Sequence, residues 1–145
     1  MKILVIEDSS FLRHAIEKVL QKGGHDVTGA ADGQAGLRAA RAELPHLILL
    51  DMMLPALDGT EVLKQLREDP ATVRIPVIVL SSLSQRNEEK LKEAGATAYL
   101  EKSGLNLNRN AEPLIQAIEE AVGLKSEAGT GKVRRLPPPR VAFQK

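Results

Sequence analysis

A regular alternation constrains this chain more than any other feature: short, wholly apolar runs are separated by longer stretches in which apolar residues recur every three or four positions. Ile3-Leu4-Val5-Ile6, Leu47-Ile48-Leu49-Leu50 and Val77-Ile78-Val79-Leu80 show no polar alternation. Strands of that kind are buried on both faces, which calls for a parallel sheet with helices on each side. After the first run, Phe11, Leu12, Ala15, Ile16, Val19 and Leu20 repeat at helical spacing, with Ser9 or Ser10 as cap and Gly23-Gly24 as stop. Residues 25–31 form a weaker strand, and Asp32-Gly33 starts a helix through Ala35, Leu37, Ala39 and Ala40.

The third apolar run ends abruptly on Asp51, and the loop 52–59 with Pro55 and Gly59 leads into a helix over 61–68. Ile75-Pro76 opens the fourth strand, where proline needs no ladder hydrogen bond. A polar helix over about 87–94 stops at Gly95, Ala98-Tyr99-Leu100 makes a short fifth strand, and residues 111–122 form a last helix with Asn110 as its cap. The expectation is therefore one α/β domain with a doubly wound parallel sheet.

With 145 residues the chain encloses one core, and that core is aliphatic, because the aromatics are only Phe11, Tyr99 and Phe143. The absence of cysteine excludes disulfides, thiolate metal sites and a cysteine nucleophile, and it agrees with a reducing cytoplasm, the expected location. No apolar run has the length of a signal peptide or of the roughly 20-residue membrane span. Of the 20 basic and 19 acidic residues, segment 126–145 holds Lys132, Arg134, Arg135, Arg140 and Lys145 against Glu127, a net of +4. The 15 basic and 18 acidic residues before it leave a net of −3. Few large apolar residues and three consecutive prolines make 125–145 a disordered basic tail on a domain spanning 1–124. Such a tail is more often a solvated linker than a nucleic-acid contact, and no recognition helix or base-stacking aromatic cluster argues otherwise.

In an open parallel sheet, ligands bind outside the carboxyl ends of the strands. There the first strand delivers Glu7 and Asp8, the third Asp51, the fourth Ser81 and the fifth Lys102. Three carboxylates so close would repel one another unless a cation neutralises them. An oxygen-only ligand set selects Mg²⁺ or Mn²⁺ over Zn²⁺, and Mg²⁺ characteristically shares carboxylates with phosphate oxygens. His14, His25 and His46 lack a metal spacing, and Asn106, Asn108 and Asn110 lack the acidic companions of a calcium loop. Taken singly, each rim residue has a plain reading: Asp51 as a turn former, Asp8 as a helix cap, Lys102 as a solvated lysine. The combination outweighs those readings.

The motifs VIEDS, LLLDMMLPALDG, VIVLSS and AYLEK, in this order, resemble the receiver domain of two-component response regulators over residues 2–122. The resemblance implies a flavodoxin-like (βα)5 fold with five parallel strands in the order 2-1-3-4-5. It implies that Glu7 and Asp8 hold Mg²⁺, that Asp51 accepts a phosphoryl group from a histidine kinase or phosphotransfer protein, and that the Met53 carbonyl completes the metal site. Ser81 and Lys102 would bind phosphoryl oxygens, and Tyr99 stands where similar proteins carry a ring that moves when the hydroxyl does. Tyr99 is equally readable as a static core residue.

The sequence departs from the commonest receiver pattern at Glu7, at Ser81, at Ser103 where a proline usually follows the lysine, and in a loop over 103–110 that is a few residues long. The expected protein is a single-domain receiver that signals to a downstream protein and catalyses only its own phosphoryl transfer and dephosphorylation. A receiver-like module that works without phosphorylation is the alternative, motivated by Ser103. An aspartyl-phosphate phosphatase fits less well, since Glu7-Asp8 does not form the D-x-D of such enzymes.

Overall fold

Five strands run parallel because the central ones, Lys2–Ile6, Leu47–Asp51 and Val77–Ser81, are apolar on both sides and need cover on each face. The computed structural model describes residues 1–81, 88–102, 105, 107, 111–123 and 133–135, with 88–90 and 133–135 as backbone. The elements are β1 (Lys2–Ile6), α1 (Ser10–Lys22), β2 (Asp26–Ala30), α2 (Gly33–Glu43), β3 (Leu47–Asp51), α3 (Gly59–Glu68), β4 (Val77–Ser81), α4 (Glu88–Ala94), β5 (Ala98–Glu101), α5 (Glu112–Ala121) and β6 (Val133–Arg135). The parallel strands lie in the order β2-β1-β3-β4-β5, as the resemblance implies.

The period of two along each strand divides the core into two layers. Leu4, Ile6, Ile48, Leu50, Val77, Val79 and Tyr99 face α2, α3 and α4, where Leu37, Val62, Leu63, Leu66 and Leu91 meet them. Ile3, Val5, Leu47, Leu49, Ile78, Leu80 and Leu100 face α1 and α5, against Ile16, Leu20, Leu114 and Ile118. Each fully buried aliphatic side chain contributes roughly 1.5–3 kcal/mol of transfer free energy. The weaker reading of β2 has a physical basis: it is an edge strand and half exposed. At its centre Gly29 leaves room for α1, since a Cβ there would collide with the Glu17 carboxylate.

Local signals agree with the caps in detail. Ser9 caps α1 by accepting from the Leu12 N–H at 3.2 Å, and Asp32 caps α2 by accepting from Ala35 at 2.8 Å. Asp58 caps α3 through the Thr60 and Glu61 N–H groups, so that helix starts two residues earlier than its apolar spacing suggests. Gly95, at φ +103°, ends α4 in a left-handed conformation that favours glycine. The start of α5 differs from expectation. Its cap position is Ala111, which has no side-chain acceptor, and Asn110 lies outside the described residues.

The tail also departs from its reading as wholly disordered. Val133–Arg135 forms a sixth strand, antiparallel to β5, which makes the sheet six-stranded. Composition missed it because edge pairing is made by the main chain, and β5 otherwise presents a row of unpaired peptide groups.

Arg67 ties α3 to both ends of the segment around β4. Its guanidinium donates to the carbonyls of Gly95 at 2.9 Å, Val73 at 2.9 Å and Ile75 at 2.8 Å. Burial lowers its pKa to about 10, still leaving it charged at neutral pH. Arg67→Ala removes the donor that these carbonyls share, that of Thr72 at 3.5 Å included, and is expected to lower stability by about 2–4 kcal/mol in urea titration.

Candidate phosphoryl and metal site

The carboxyl ends of β1, β3, β4 and β5 bring the polar residues together because each strand stays apolar until its final position. Glu7 follows β1 and is fully buried, whereas Asp8 beside it is exposed. Asp51 is the last residue of β3 and 1% exposed. Ser81, the last residue of β4 and likewise buried, lies one position past Leu80, the register partner of Asp51. Lys102 immediately follows β5. Ligand oxygens of Glu7, Asp8 and Asp51 all lie within 4.8 Å of one another.

The Lys102 ammonium closes the group, 3.0 Å from Asp51 Oδ1 and 3.3 Å from Glu7 Oε1. Main-chain donors fix the carboxylates: Met53 N–H donates to Asp51 Oδ1 at 3.1 Å, and Ser9 N–H to Glu7 Oε2 at 3.1 Å. Met53 itself is exposed on the loop, and its side chain extends outward from the rim. Asp51 Oδ2 is buried and receives no hydrogen bond from the described residues.

Burial pushes the Glu7 carboxyl above its ordinary value, and the Asp51 charge adds to the effect; the Ser9 N–H and Lys102 oppose it without cancelling it. Burial alone would lower the Lys102 ammonium, but the Asp51 and Glu7 carboxylates outweigh burial and hold it above its usual value. Three carboxylates and one ammonium carry a formal charge of about −2 when all are ionised. One divalent cation balances that sum. An oxygen-only cluster with a buried, unpartnered carboxylate oxygen fits a hard ion such as Mg²⁺.

Residues 3–112 match the family described as the response regulator receiver domain. The chain belongs to that family. PilH of Pseudomonas aeruginosa is 35% identical over 102 residues, which are 70% of this receiver chain and 84% of PilH. The alkaline phosphatase synthesis transcriptional regulatory protein PhoP of Bacillus subtilis is 36% identical over 123 residues, 83% of this chain. This chain spans 50% of PhoP's length and 15% of the Myxococcus xanthus gliding motility regulatory protein. Among solved structures, the Vibrio cholerae chemotaxis protein CheY4 superposes with a TM-score of 0.74 at 28% identity, covering 83% of this chain and 97% of that one. The receiver domain of the sensor histidine kinase PA1611 from Pseudomonas aeruginosa, with a magnesium ion in its active-site cleft, gives 0.73 at 28% identity, covering 84% and 97%.

Tyr99 sits in mid-β5, buried, on the same face of the sheet as Val79 and Ser81 of the neighbouring strand. That placement puts ring and hydroxyl in one layer. Ser103 and most of the 103–110 loop lie outside the described residues.

The structure adds supports that the sequence did not disclose. Arg13, on α1, donates from Nη1 to the Glu7 carbonyl at 2.8 Å and so fixes the turn that aims the acidic pair. Gly59 lets α3 start against the end of β3, because a Cβ would lie 2.6 Å from the Asp51 carbonyl oxygen. Ala56 has φ +63°, and Leu57 N–H donates to the Pro55 carbonyl at 2.6 Å, a three-residue turn in the loop that follows Asp51.

The raised Glu7 carboxyl sets a pH-dependent cost. The penalty is full above the folded-state pKa and is relieved as pH falls toward the unfolded value of 4.5, where the carboxyl is protonated in the fold first. Glu7→Gln is therefore expected to raise the melting temperature of the metal-free chain at neutral pH, by an increment that shrinks as pH approaches 4.5. The same variant should lose most of the stabilisation that Mg²⁺ gives the wild type. Thermal melts with EDTA or Mg²⁺ across that pH range measure both effects.

Proposed function

We propose that Asp51 accepts a phosphoryl group from the phosphohistidine of a histidine kinase or phosphotransfer protein. The acyl phosphate then alters the affinity of this receiver for a downstream protein. The single observation that carries this reading is the buried Asp51 carboxylate, with one oxygen held by Met53 N–H and Lys102 and the other without a partner among the described residues. In the transfer, the P–N bond to the donor imidazole breaks and a carboxylate O–P bond forms. The leaving imidazole regains a proton from solvent.

Glu7, Asp8, Asp51 and the backbone carbonyl of Met53 would hold Mg²⁺, which supplies charge neutralisation for the phosphoryl oxygens. Lys102 provides the second positive charge, already aimed at Asp51. Ser81 offers a hydroxyl to a phosphoryl oxygen from the neighbouring strand end. Movement of that hydroxyl opens space in the layer that Tyr99 shares, so Ser81 and Tyr99 form the proposed switch. The magnesium named in the PA1611 receiver structure supports this assignment of the acidic cluster.

The protein acts on its own aspartate and is not a turnover enzyme for external phosphoesters. Its place is the cytoplasm, where histidine kinases present their phosphoryl groups; among the described residues no helix is long and apolar enough to cross a membrane.

Incubation with Mg²⁺ and a small-molecule phosphodonor should label the wild type and leave Asp51→Asn unlabelled. Lys102→Ala should be labelled about 10²-fold more slowly, the scale of losing one preorganised charge-stabilising group. Labelling of Asp51→Asn equal to that of the wild type would remove Asp51 from the mechanism.

A further inference from the structure

The strand Val133–Arg135 occupies a position with a consequence for partner binding. It pairs antiparallel with the free edge of β5, with Leu100 opposite Val133, Tyr99 opposite Arg134 and Ala98 opposite Arg135. It also lies against α5. On the other side of β5, Thr97 N–H donates to the Val77 carbonyl at 2.8 Å. The peptide groups of Pro76 and Leu80 face β3, so those of Val77 and Val79 face β5. With Val79 opposite Tyr99 in a parallel pair, Ala98 and Leu100 bond to β4, and Tyr99 directs its peptide groups to the outer edge. The hydrogen-bonded pair with the tail is therefore Tyr99 with Arg134. Val133 and Arg135 turn their own N–H groups outward.

The sequence around the tail strand suits a terminal strand. Basic residues at 132, 134 and 135 and the prolines at 137–139 discourage any further strand from adding outside it. Residues 124–132 join it to α5 and can reach about 30 Å when extended. Tethering of this kind supplies an effective concentration in the millimolar range. A net +4 tail on a net −3 body gives the contact complementary charge.

We propose that the β5 edge is a strand-accepting interaction surface whose resident occupant is this chain's own segment Val133–Arg135. The tail thereby acts as a built-in competitor: a partner that binds this edge must present an extended segment antiparallel to β5 and displace the tail. The surface lies next to the phosphoryl site, since β5 also carries Tyr99 and leads into Lys102. Main-chain groups make this pairing, and it does not depend on phosphoryl acceptance.

The test compares two full-length variants that each remove one arginine charge. Arg134→Pro deletes an N–H that faces β5, whereas Arg135→Pro deletes one that faces outward. Amide hydrogen exchange followed by NMR should show Tyr99 protected in the wild type and in Arg135→Pro, and exchanging at least tenfold faster in Arg134→Pro. Ala98 and Leu100, which face β4, should remain protected in all three chains and so report an intact fold. NMR titration with a synthetic peptide of residues 129–140 should shift the Tyr99 amide of Arg134→Pro at concentrations at least tenfold lower than in the wild type. Equal exchange of Tyr99 in the two proline variants, or the same peptide response in the wild type and Arg134→Pro, would overturn the proposal.

Discussion

The mutual repulsion of Glu7, Asp8 and Asp51 is the constraint on which the rest of the structure depends. Two of the three are buried at the ends of apolar strands, where charge is expensive. The fold tolerates them because each finds a specific counterweight: Lys102 between Glu7 and Asp51, the Ser9 N–H on Glu7, the Met53 N–H on Asp51. What remains is a formal charge near −2 and a buried carboxylate oxygen without a donor among the described residues. In the proposed function a divalent cation and a phosphoryl group would meet that residual demand together, since the cation would balance the carboxylates and leave Lys102 to phosphoryl oxygens. Burial holds the Glu7 carboxyl above its ordinary value, a cost in stability that such a role would explain.

Precision at the rim comes from rigid elements behind it. The two aliphatic layers hold β1, β3 and β4 in register, and register decides where Asp51 and Ser81 emerge relative to one another. Arg13 and Gly59 act at one remove, the first by anchoring the Glu7 carbonyl and the second by allowing α3 to approach the end of β3. On the far side of the sheet, β5 joins three things: Lys102 at its end, Tyr99 in its middle and the tail strand along its edge. A change at Lys102 and a change in edge occupancy therefore act on one short strand.

The sequence made the central strands legible because uninterrupted apolar runs leave little choice of environment, whereas β2, half exposed at the edge, read more weakly. The rim was legible because Glu7, Asp51 and Ser81 stand where such runs stop and Lys102 just past the fifth strand. The caps at Ser9 and Asp32 were readable for a similar reason, being short polar side chains next to periodic helices. Arg13 was not readable, since its target is a backbone carbonyl and nothing in residue type announces one. The same holds for β6: the ladder it makes uses main-chain groups, whereas the composition around Val133 speaks of charge and proline. Asn110 was a reasonable cap by type, yet the helix begins from Ala111 without a side-chain acceptor. Sequence periodicity places elements, but it is silent on which main-chain groups an edge or a loop still has to satisfy.

The central claim is that Asp51 is the group that becomes phosphorylated. An acyl phosphate can be trapped by hydride reduction, which converts the modified aspartate to homoserine, and the altered residue can then be located by peptide mass spectrometry. After treatment with phosphodonor and Mg²⁺, the account predicts homoserine at position 51 and nowhere else, with loss of the signal when Mg²⁺ is chelated. Homoserine at another aspartate, or a modified chain whose residue 51 stays intact, would contradict it.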